Sequence, residues 1–267
     1  MTVWLAILLG FVQGLCEFLP VSSSGHLLLL THLFGVEEGA LFFTLMLHIG
    51  TLAAVLIVYW QLVWKLVKHP FQRTVGMLLL ATVPTVIIAI LFKKVGPFQA
   101  FYTAAEAGDY LGVCFLLTSV ILVLSDVLAR PKAQQHKLKD VTVKDALMIG
   151  TMQGIAVLPG ISRSGSTIAG ALFSGLNRKA AADFSFLMSI IAIVGGAVLE
   201  VPDAIESGIA GLNFFPVLIG MIVAGVTGYF AIRFMLMAVK KKKLWGFAIY
   251  TAVLGLFVIV MQLLGKW

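Results

Sequence analysis

Six long runs of apolar residues alternate with short polar stretches along the chain, near 40–63, 74–92, 110–129, 183–201, 214–238 and 245–265. Each is close to the roughly 20 residues an α-helix needs to cross about 30 Å of hydrocarbon, so the pattern predicts six membrane-spanning helices. Two further apolar stretches, 1–35 and 143–177, are each interrupted midway by Pro, Gly and a Ser cluster, and so divide into half-length pieces. Non-helical backbone at membrane depth is tolerated only where protein or a water-filled cavity surrounds it, and each interrupted stretch is predicted to form a re-entrant helix pair.

The interrupted stretches also match each other at a constant offset of 140, which pairs Gly10, Gln13, Gly14, Ser22, Ser24 and Gly25 with Gly150, Gln153, Gly154, Ser162, Ser164 and Gly165. The same offset carries the starts of the runs at 40 and 74 onto 180 and 214, so the chain reads as two copies of one unit. The expected architecture is an all-α integral membrane protein of six transmembrane helices plus two re-entrant helix pairs, arranged as two inverted-topology repeats. It forms a single membrane domain over 1–267, with repeat one at 1–130, repeat two at 143–267 and a cytoplasmic linker at 130–145. Three crossings per unit turn the second copy upside down, and the two broken tips are then expected to meet near the midplane, where inverted-repeat proteins place substrate.

Charge agrees with that inversion. Lys65, Lys68 and Arg73 follow the first span; Arg130, Lys132, Lys137, Lys139 and Lys144 follow the third; Arg178 and Lys179 precede the fourth; Lys240 to Lys243 follow the fifth. All fall on one side of a six-crossing chain, which the excess of Lys and Arg marks as cytoplasmic. Glu37, Glu38, Glu106, Asp109, Asp203 and Glu206 fall on the external side, with Lys93 and Lys94 as exceptions. The formal charge of +7 therefore reports orientation, and no nucleic acid is expected as a partner. With 60% hydrophobic and 12% charged residues and a mean hydropathy of +1.05, the chain lies far from a soluble domain, in which about a quarter of residues are charged. Cys16 and Cys114 lie in apolar runs without metal-ligand spacing, so neither a disulfide nor a zinc site is expected. No basic region precedes the first apolar run, which reads as retained.

The residues that interrupt the short stretches carry the chemistry. Gln13 and Glu17 are one helical turn apart and share a face. Pro20 leads into Ser22, Ser23, Ser24, Gly25 and His26, where a helix restarts; Pro159 leads likewise into Ser162, Arg163, Ser164, Gly165, Ser166 and Thr167. Serines at a helix start can serve as caps alone. The free N–H groups and dipole at the same place also favour an anion, which makes a phosphate cradle the sharper reading. Positions where the copies differ are more telling: Glu17 stands opposite Val157, Ser23 opposite Arg163, and His26 opposite Ser166. One half supplies a carboxylate, a hydroxyl and an imidazole, the other a fixed cation, all at membrane depth, where ionisable groups are expensive. The bland alternative for Glu17 and Arg163 is a salt bridge that only joins the halves. His32 and His48 have no such neighbours in sequence and read as structural.

Gln13-x-x-x-Glu17 followed by Pro20-Val-Ser-Ser-Ser-Gly-His26, together with Pro159-Gly-Ile-Ser-Arg163-Ser-Gly165, resembles the two signature segments of the BacA-type undecaprenyl-pyrophosphate phosphatases of bacteria, and the resemblance covers nearly the whole chain. It implies hydrolysis of undecaprenyl diphosphate, a polyprenyl diphosphate, to the monophosphate carrier of cell-wall synthesis, with bacitracin resistance as a consequence. It further implies a multi-pass protein of the bacterial inner membrane, an active site open to the external side, a Mg²⁺ or Ca²⁺ requirement and a homodimer. On that reading Glu17, Ser23, His26 and Arg163 are catalytic and Glu17 also holds the divalent cation. Gln13, Ser22, Ser24, Gly25, Ser162, Ser164, Gly165, Ser166 and Thr167 would bind substrate. Gln13 stands where many members carry a second Glu, so a metal scheme needing two carboxylates is not met. Ser23 is the favoured nucleophile, with His26 three residues on as its general base; attack by water or by His26 itself is the competing route. Ser24-Gly25-His26 is also similar to a segment of type-2 phosphatidic-acid phosphatases, but 164–177 contains neither the His nor the Asp that superfamily needs. The rival function is a polyprenyl-phosphate transporter or flippase, because broken helices in inverted repeats are shared with transporters.

Overall fold

A lipid-embedded chain must satisfy its backbone N–H and C=O groups internally, and helices do so segment by segment. In a computed structural model, described over residues 2–36, 40–128, 136–206, 213–240 and 244–265, the chain forms helices and no strand among the described residues. In chain order these are α1 (Val3–Phe18), α2 (Ser23–Leu33), α3 (Ala40–Val58), α4 (Trp60–Lys68), α5 (Arg73–Lys94) and α6 (Gly96–Glu106). They continue as α7 (Leu111–Leu128), α8 (Val143–Ile155), α9 (Arg163–Phe173), α10 (Arg178–Glu206), α11 (Phe214–Lys240) and α12 (Trp245–Leu263). Six of them, α3, α5, α7, α10, α11 and α12, are long and apolar enough to cross a membrane. Of the charges used for orientation, Glu37, Glu38, Arg130, Lys132 and Lys241 to Lys243 lie outside the described residues, as do the side chains of Asp203, Glu206 and Lys240.

The interrupted stretches become α1 with α2 and α8 with α9, and the breaks fall at the expected Pro-Ser segments. Two helices escape the hydropathy pattern. The run at 40–63 is divided at Tyr59, and α4 follows as a separate helix in which Trp60 and Trp64 stack at 5.5 Å and Lys68 lies 5.2 Å over the Trp64 ring. Trp and Lys are the residues of a membrane boundary, and a hydropathy window counts such a helix as an extension of the span before it. α6 opens on Pro97, suited to the first turn of a helix, but is too short and polar to register as a span.

Each broken pair packs against a span from the other half of the chain: α1 lies along α11, and α8 along α5. Glycines spaced by four residues make both approaches possible, as expected for helices that associate by van der Waals contact in lipid. A Cβ on Gly10 would sit 2.4 Å from the Gly220 carbonyl oxygen, and one on Gly14 1.9 Å from Thr227 Oγ1. In the other pair, a Cβ on Gly150 would sit 1.9 Å from the Ala81 oxygen, and one on Gly154 2.6 Å from Ile88 Cδ1. Gly220 and Gly225 serve packing within the chain, against Phe43 and Gly50, whereas nothing lies within 4 Å of a Cβ placed on Gly195 or Gly196. The main core draws on both halves, with Phe18 and Phe186 edge to face at 5.8 Å and Phe184, Ile149, Ile168 and Leu172 fully buried. Arg178 and Lys179 do more than mark orientation. Arg178 pairs with Asp126 at 2.8 Å and Lys179 with Asp183 at 2.6 Å, while Tyr59 donates to Asp183 at 2.9 Å, so the start of α10 is tied to α7 and to the turn between α3 and α4.

Candidate active site

The break between α1 and α2 and the break between α8 and α9 come together. A Cβ on Gly25 would meet Gly160 Cα at 2.8 Å, and one on Gly165 would meet Pro20 Cβ at 3.2 Å, so the tips touch at both ends. Ser164 Oγ donates to the Leu19 carbonyl across the join at 2.9 Å. α7 clamps the second tip, because Thr118 Oγ1 donates to the Gly160 carbonyl at 2.9 Å and accepts from the Ser162 N–H at 3.0 Å. Both restarted helices use the same cap: Ser22 Oγ accepts from the Gly25 N–H at 3.3 Å, and Ser162 Oγ from the Gly165 N–H at 3.1 Å. The caps differ in backbone, since Ser162 has φ −72° but Ser22 has φ 69°. Ser22 is the one non-glycine residue with positive φ among those described, a conformation costing on the order of 1–3 kcal/mol that persists where its surroundings over-determine it.

Glu17, on the last turn of α1, is the hub. Its Oε1 accepts from Arg163 Nη2, across a sequence separation of 146 residues. Its Oε2 accepts from Ser23 Oγ at 2.6 Å and from Gln13 Nε2 at 3.0 Å. A charge buried to this degree is stable only when paired and hydrogen-bonded, and the carboxylate has both. One donor and one acceptor of the cluster are left over: Arg163 Nη1 and Gln13 Oε1 are buried without a hydrogen-bond partner. The cavity between the two breaks is lined by serines of both with Glu17 and Arg163, and measures about 40 Å³. That is room for water rather than a diphosphate.

Glu17, Ser23, Arg163, Gln13, Ser22, Ser24, Ser162 and Ser164 are thus gathered at one place. Gly25 and Gly165 provide close approach at the join. Ser166 and Thr167 lie behind it: Ser166 is buried, and Thr167 Oγ1 bonds to the Arg163 and Ser164 carbonyls and, at 2.6 Å, to Ser185 Oγ. His26 does not face Ser23 as its spacing suggested. Its Nδ1 lies 2.7 Å from the Ser22 carbonyl oxygen and its Nε2 2.7 Å from the hydroxyl of Tyr250 on α12. The partner that Ser23 has instead is Glu17.

Two residues passed over in the sequence enter the site. His48, read as structural, points Nε2 at Glu17 Oε2 from 3.7 Å, with Nδ1 held by the Thr44 carbonyl at 2.8 Å. The signal for it was present, since an ionisable side chain inside an apolar span is by default a functional candidate. Tyr250 had no such signal, because a Tyr near the end of a span is ordinary.

Among the described residues no three His, Cys, Asp or Glu side chains cluster as a metal cage. The oxygens present do suit a hard cation such as Mg²⁺ or Ca²⁺, which takes one or two carboxylates and completes its shell with phosphate oxygens and water. Glu17 and the orphaned Gln13 Oε1 are such oxygens, so Gln13 offers a neutral ligand where a second carboxylate was wanted.

The family model described as bacitracin resistance protein BacA matches residues 6–257. Undecaprenyl-diphosphatase of Carboxydothermus hydrogenoformans is 43% identical over 264 residues, covering 98% of each chain. Undecaprenyl-diphosphatase 4 of Bacillus thuringiensis is 41% identical over 260 residues, 97% of each chain. Undecaprenyl-diphosphatase of Alkaliphilus metalliredigens is 41% identical over 283 residues, 99% of this chain and 100% of its own.

Proposed function

The chain belongs to the bacitracin resistance protein BacA family, and on that premise we propose that the Glu17–Arg163 junction is where it hydrolyses undecaprenyl diphosphate to undecaprenyl phosphate and phosphate. The observation that carries the assignment is the convergence on one carboxylate of a hydroxyl from the same tip and a guanidinium from the other. Arg163 leaves Glu17 for the terminal phosphate, which its free Nη1 and its fork of donors grip at two oxygens. Glu17 Oε2 takes the Ser23 proton as Oγ attacks the terminal phosphorus; the bridging P–O bond breaks and undecaprenyl phosphate departs. Glu17 gives that proton to the departing phosphate and, ionised again, takes one from the water that attacks the phosphoserine; the P–Oγ bond breaks, Glu17 returns the proton to Ser23 Oγ, and phosphate and free Ser23 are released. The serine-capped helix starts contribute N–H groups and dipoles toward the phosphate charge. A divalent cation, Mg²⁺ or Ca²⁺, held by Glu17 and Gln13 would neutralise diphosphate oxygens when bound. The names of the relatives do not favour the transport reading.

Phosphate release from C55 diphosphate by the detergent-purified chain, with and without Mg²⁺ or Ca²⁺, tests this. Glu17→Gln and Arg163→Ala are expected to lower kcat by at least about 100-fold while remaining folded, the usual effect of removing a preorganised charge partner. Ser23→Ala with full activity would remove the serine from the mechanism. We place the protein in the bacterial inner membrane with the loop at 69–72 cytoplasmic and the site opening outward, on the strength of the basic loops; a reporter at that loop proving external would overturn the orientation. A homodimer is part of the same proposal, with the open Gly195–Gly196 face as one support, and a monomer mass by light scattering in mild detergent would exclude it.

A further inference from the structure

A histidine three residues after a candidate nucleophile has the chemistry of a general base, yet both ring nitrogens of His26 are occupied away from Ser23. The Ser22 carbonyl can only accept, so Nδ1 must carry a hydrogen and donate to it, at 2.7 Å. In the neutral ring Nε2 then holds the lone pair, and the Tyr250 hydroxyl, 2.7 Å away, donates to it. The two rings lie parallel, 9° apart with centroids at 5.6 Å, and Phe115 closes the imidazole edge to face at 5.3 Å. His26 is therefore fixed on three sides, by α12, by α7 and by its own helix start.

What it grips is the strained residue. The Ser22 carbonyl accepts from the His26 backbone N–H at 3.2 Å as well as from Nδ1, and Ser22 is the non-glycine residue held at φ 69°. A left-handed serine keeps its conformation only under such constraint. The next residue is Ser23, whose Oγ reaches Glu17 at 2.6 Å from that turn.

We propose that Tyr250 and His26 are positioning residues: Tyr250 holds the imidazole, the imidazole braces the Ser22 turn, and the turn delivers the Ser23 hydroxyl to Glu17. No proton passes between His26 and Ser23. The inference rests on the placement of Ser23 at the reacting centre.

The test compares His26→Asn, His26→Ala and Tyr250→Phe, with Ser23→Ala as the control on the site, by C55-diphosphate turnover and thermal stability in detergent. An Asn amide can still donate to the Ser22 carbonyl but cannot act as a nucleophile or a base. Expected values are a kcat for His26→Asn within about 10-fold of the parent, a loss beyond about 100-fold for His26→Ala, and a drop of about 3- to 10-fold for Tyr250→Phe with KM unchanged, the size of one lost buried hydrogen bond. His26→Asn as inactive as His26→Ala, with a parental melting temperature, would show that the imidazole touches the reacting atoms and would overturn the proposal. So would a Tyr250→Phe variant with parental kcat. If His26→Asn does not fold, ¹⁵N-histidine NMR on the parent decides: the hydrogen on Nδ1, with an Nε2 signal that moves in Tyr250→Phe, supports the brace, and the hydrogen on Nε2 refutes it. Full activity of Ser23→Ala would instead sink the site assignment and leave the His26 tautomer to be read separately.

Discussion

At the scale of single residues, the site is an over-committed carboxylate beside under-committed partners. Glu17 accepts from three side chains, whereas Arg163 Nη1 and Gln13 Oε1 have no partner. Truncating one member of a buried ion pair strands the other charge, typically at about 3–5 kcal/mol, but removing both costs much less. Glu17→Ala should therefore lower the melting temperature markedly, and adding Arg163→Leu should recover much of the loss without restoring activity. Equal melting temperatures for the single and double variants would show that the pair is not held as a buried unit. The sequence exposed Glu17 and Arg163 because ionisable residues inside apolar runs stand out. It did not expose the destination of the Ser23 hydroxyl, which depends on a backbone turn at Ser22 that no residue-type pattern encodes.

At the scale of helices, the glycine pairs let α1 and α8 sit against spans of the opposite half. Gly150 and Gly76 provide a matched comparison, since a Cβ on Gly150 would press 1.9 Å from the Ala81 oxygen while one on Gly76, in α5, meets nothing within 4 Å. Gly150→Ala is expected to destabilise by about 1–3 kcal/mol, the usual cost of overpacking, and to reduce activity by displacing α8. Gly76→Ala should be neutral or gain up to about 1 kcal/mol from helix propensity. Melting curves followed by size-exclusion recovery distinguish the two, and indistinguishable variants would mean that the α5–α8 approach is looser than described. The six spans and both breaks were legible along the chain, because hydropathy and Pro-Ser interruptions are local properties. α4 and α6 were not, since a change of helix axis at Tyr59 leaves no trace in hydropathy and α6 is too short to stand out.

At the scale of the molecule, neither half owns the site. Glu17 and Ser23 come from one tip and Arg163 from the other, α1 rests on α11, α8 rests on α5, and His26 is held by Tyr250 of α12. Fragments 1–128 and 136–267 produced separately should each be inactive, while their co-expression should restore phosphate release, because the contacts that gather Glu17, Ser23, Arg163 and Tyr250 all lie within those two segments. Activity in either fragment alone would show that one tip suffices.

The sequence by itself determined that this is a six-span helical membrane protein with two polar breaks, and which side chains at those breaks have the chemistry for a phosphate. These follow from residue type and spacing, and each can be read within a window of some twenty residues. Only the tertiary structure decided which partner each of those side chains has. His48 reaches Glu17 from 31 residues away, a separation read from the chain, and Tyr250 reaches His26 from 224. Such pairings are fixed by how helices pack and by one strained serine, and helix packing depends on the whole set of contacts rather than on any segment that makes them.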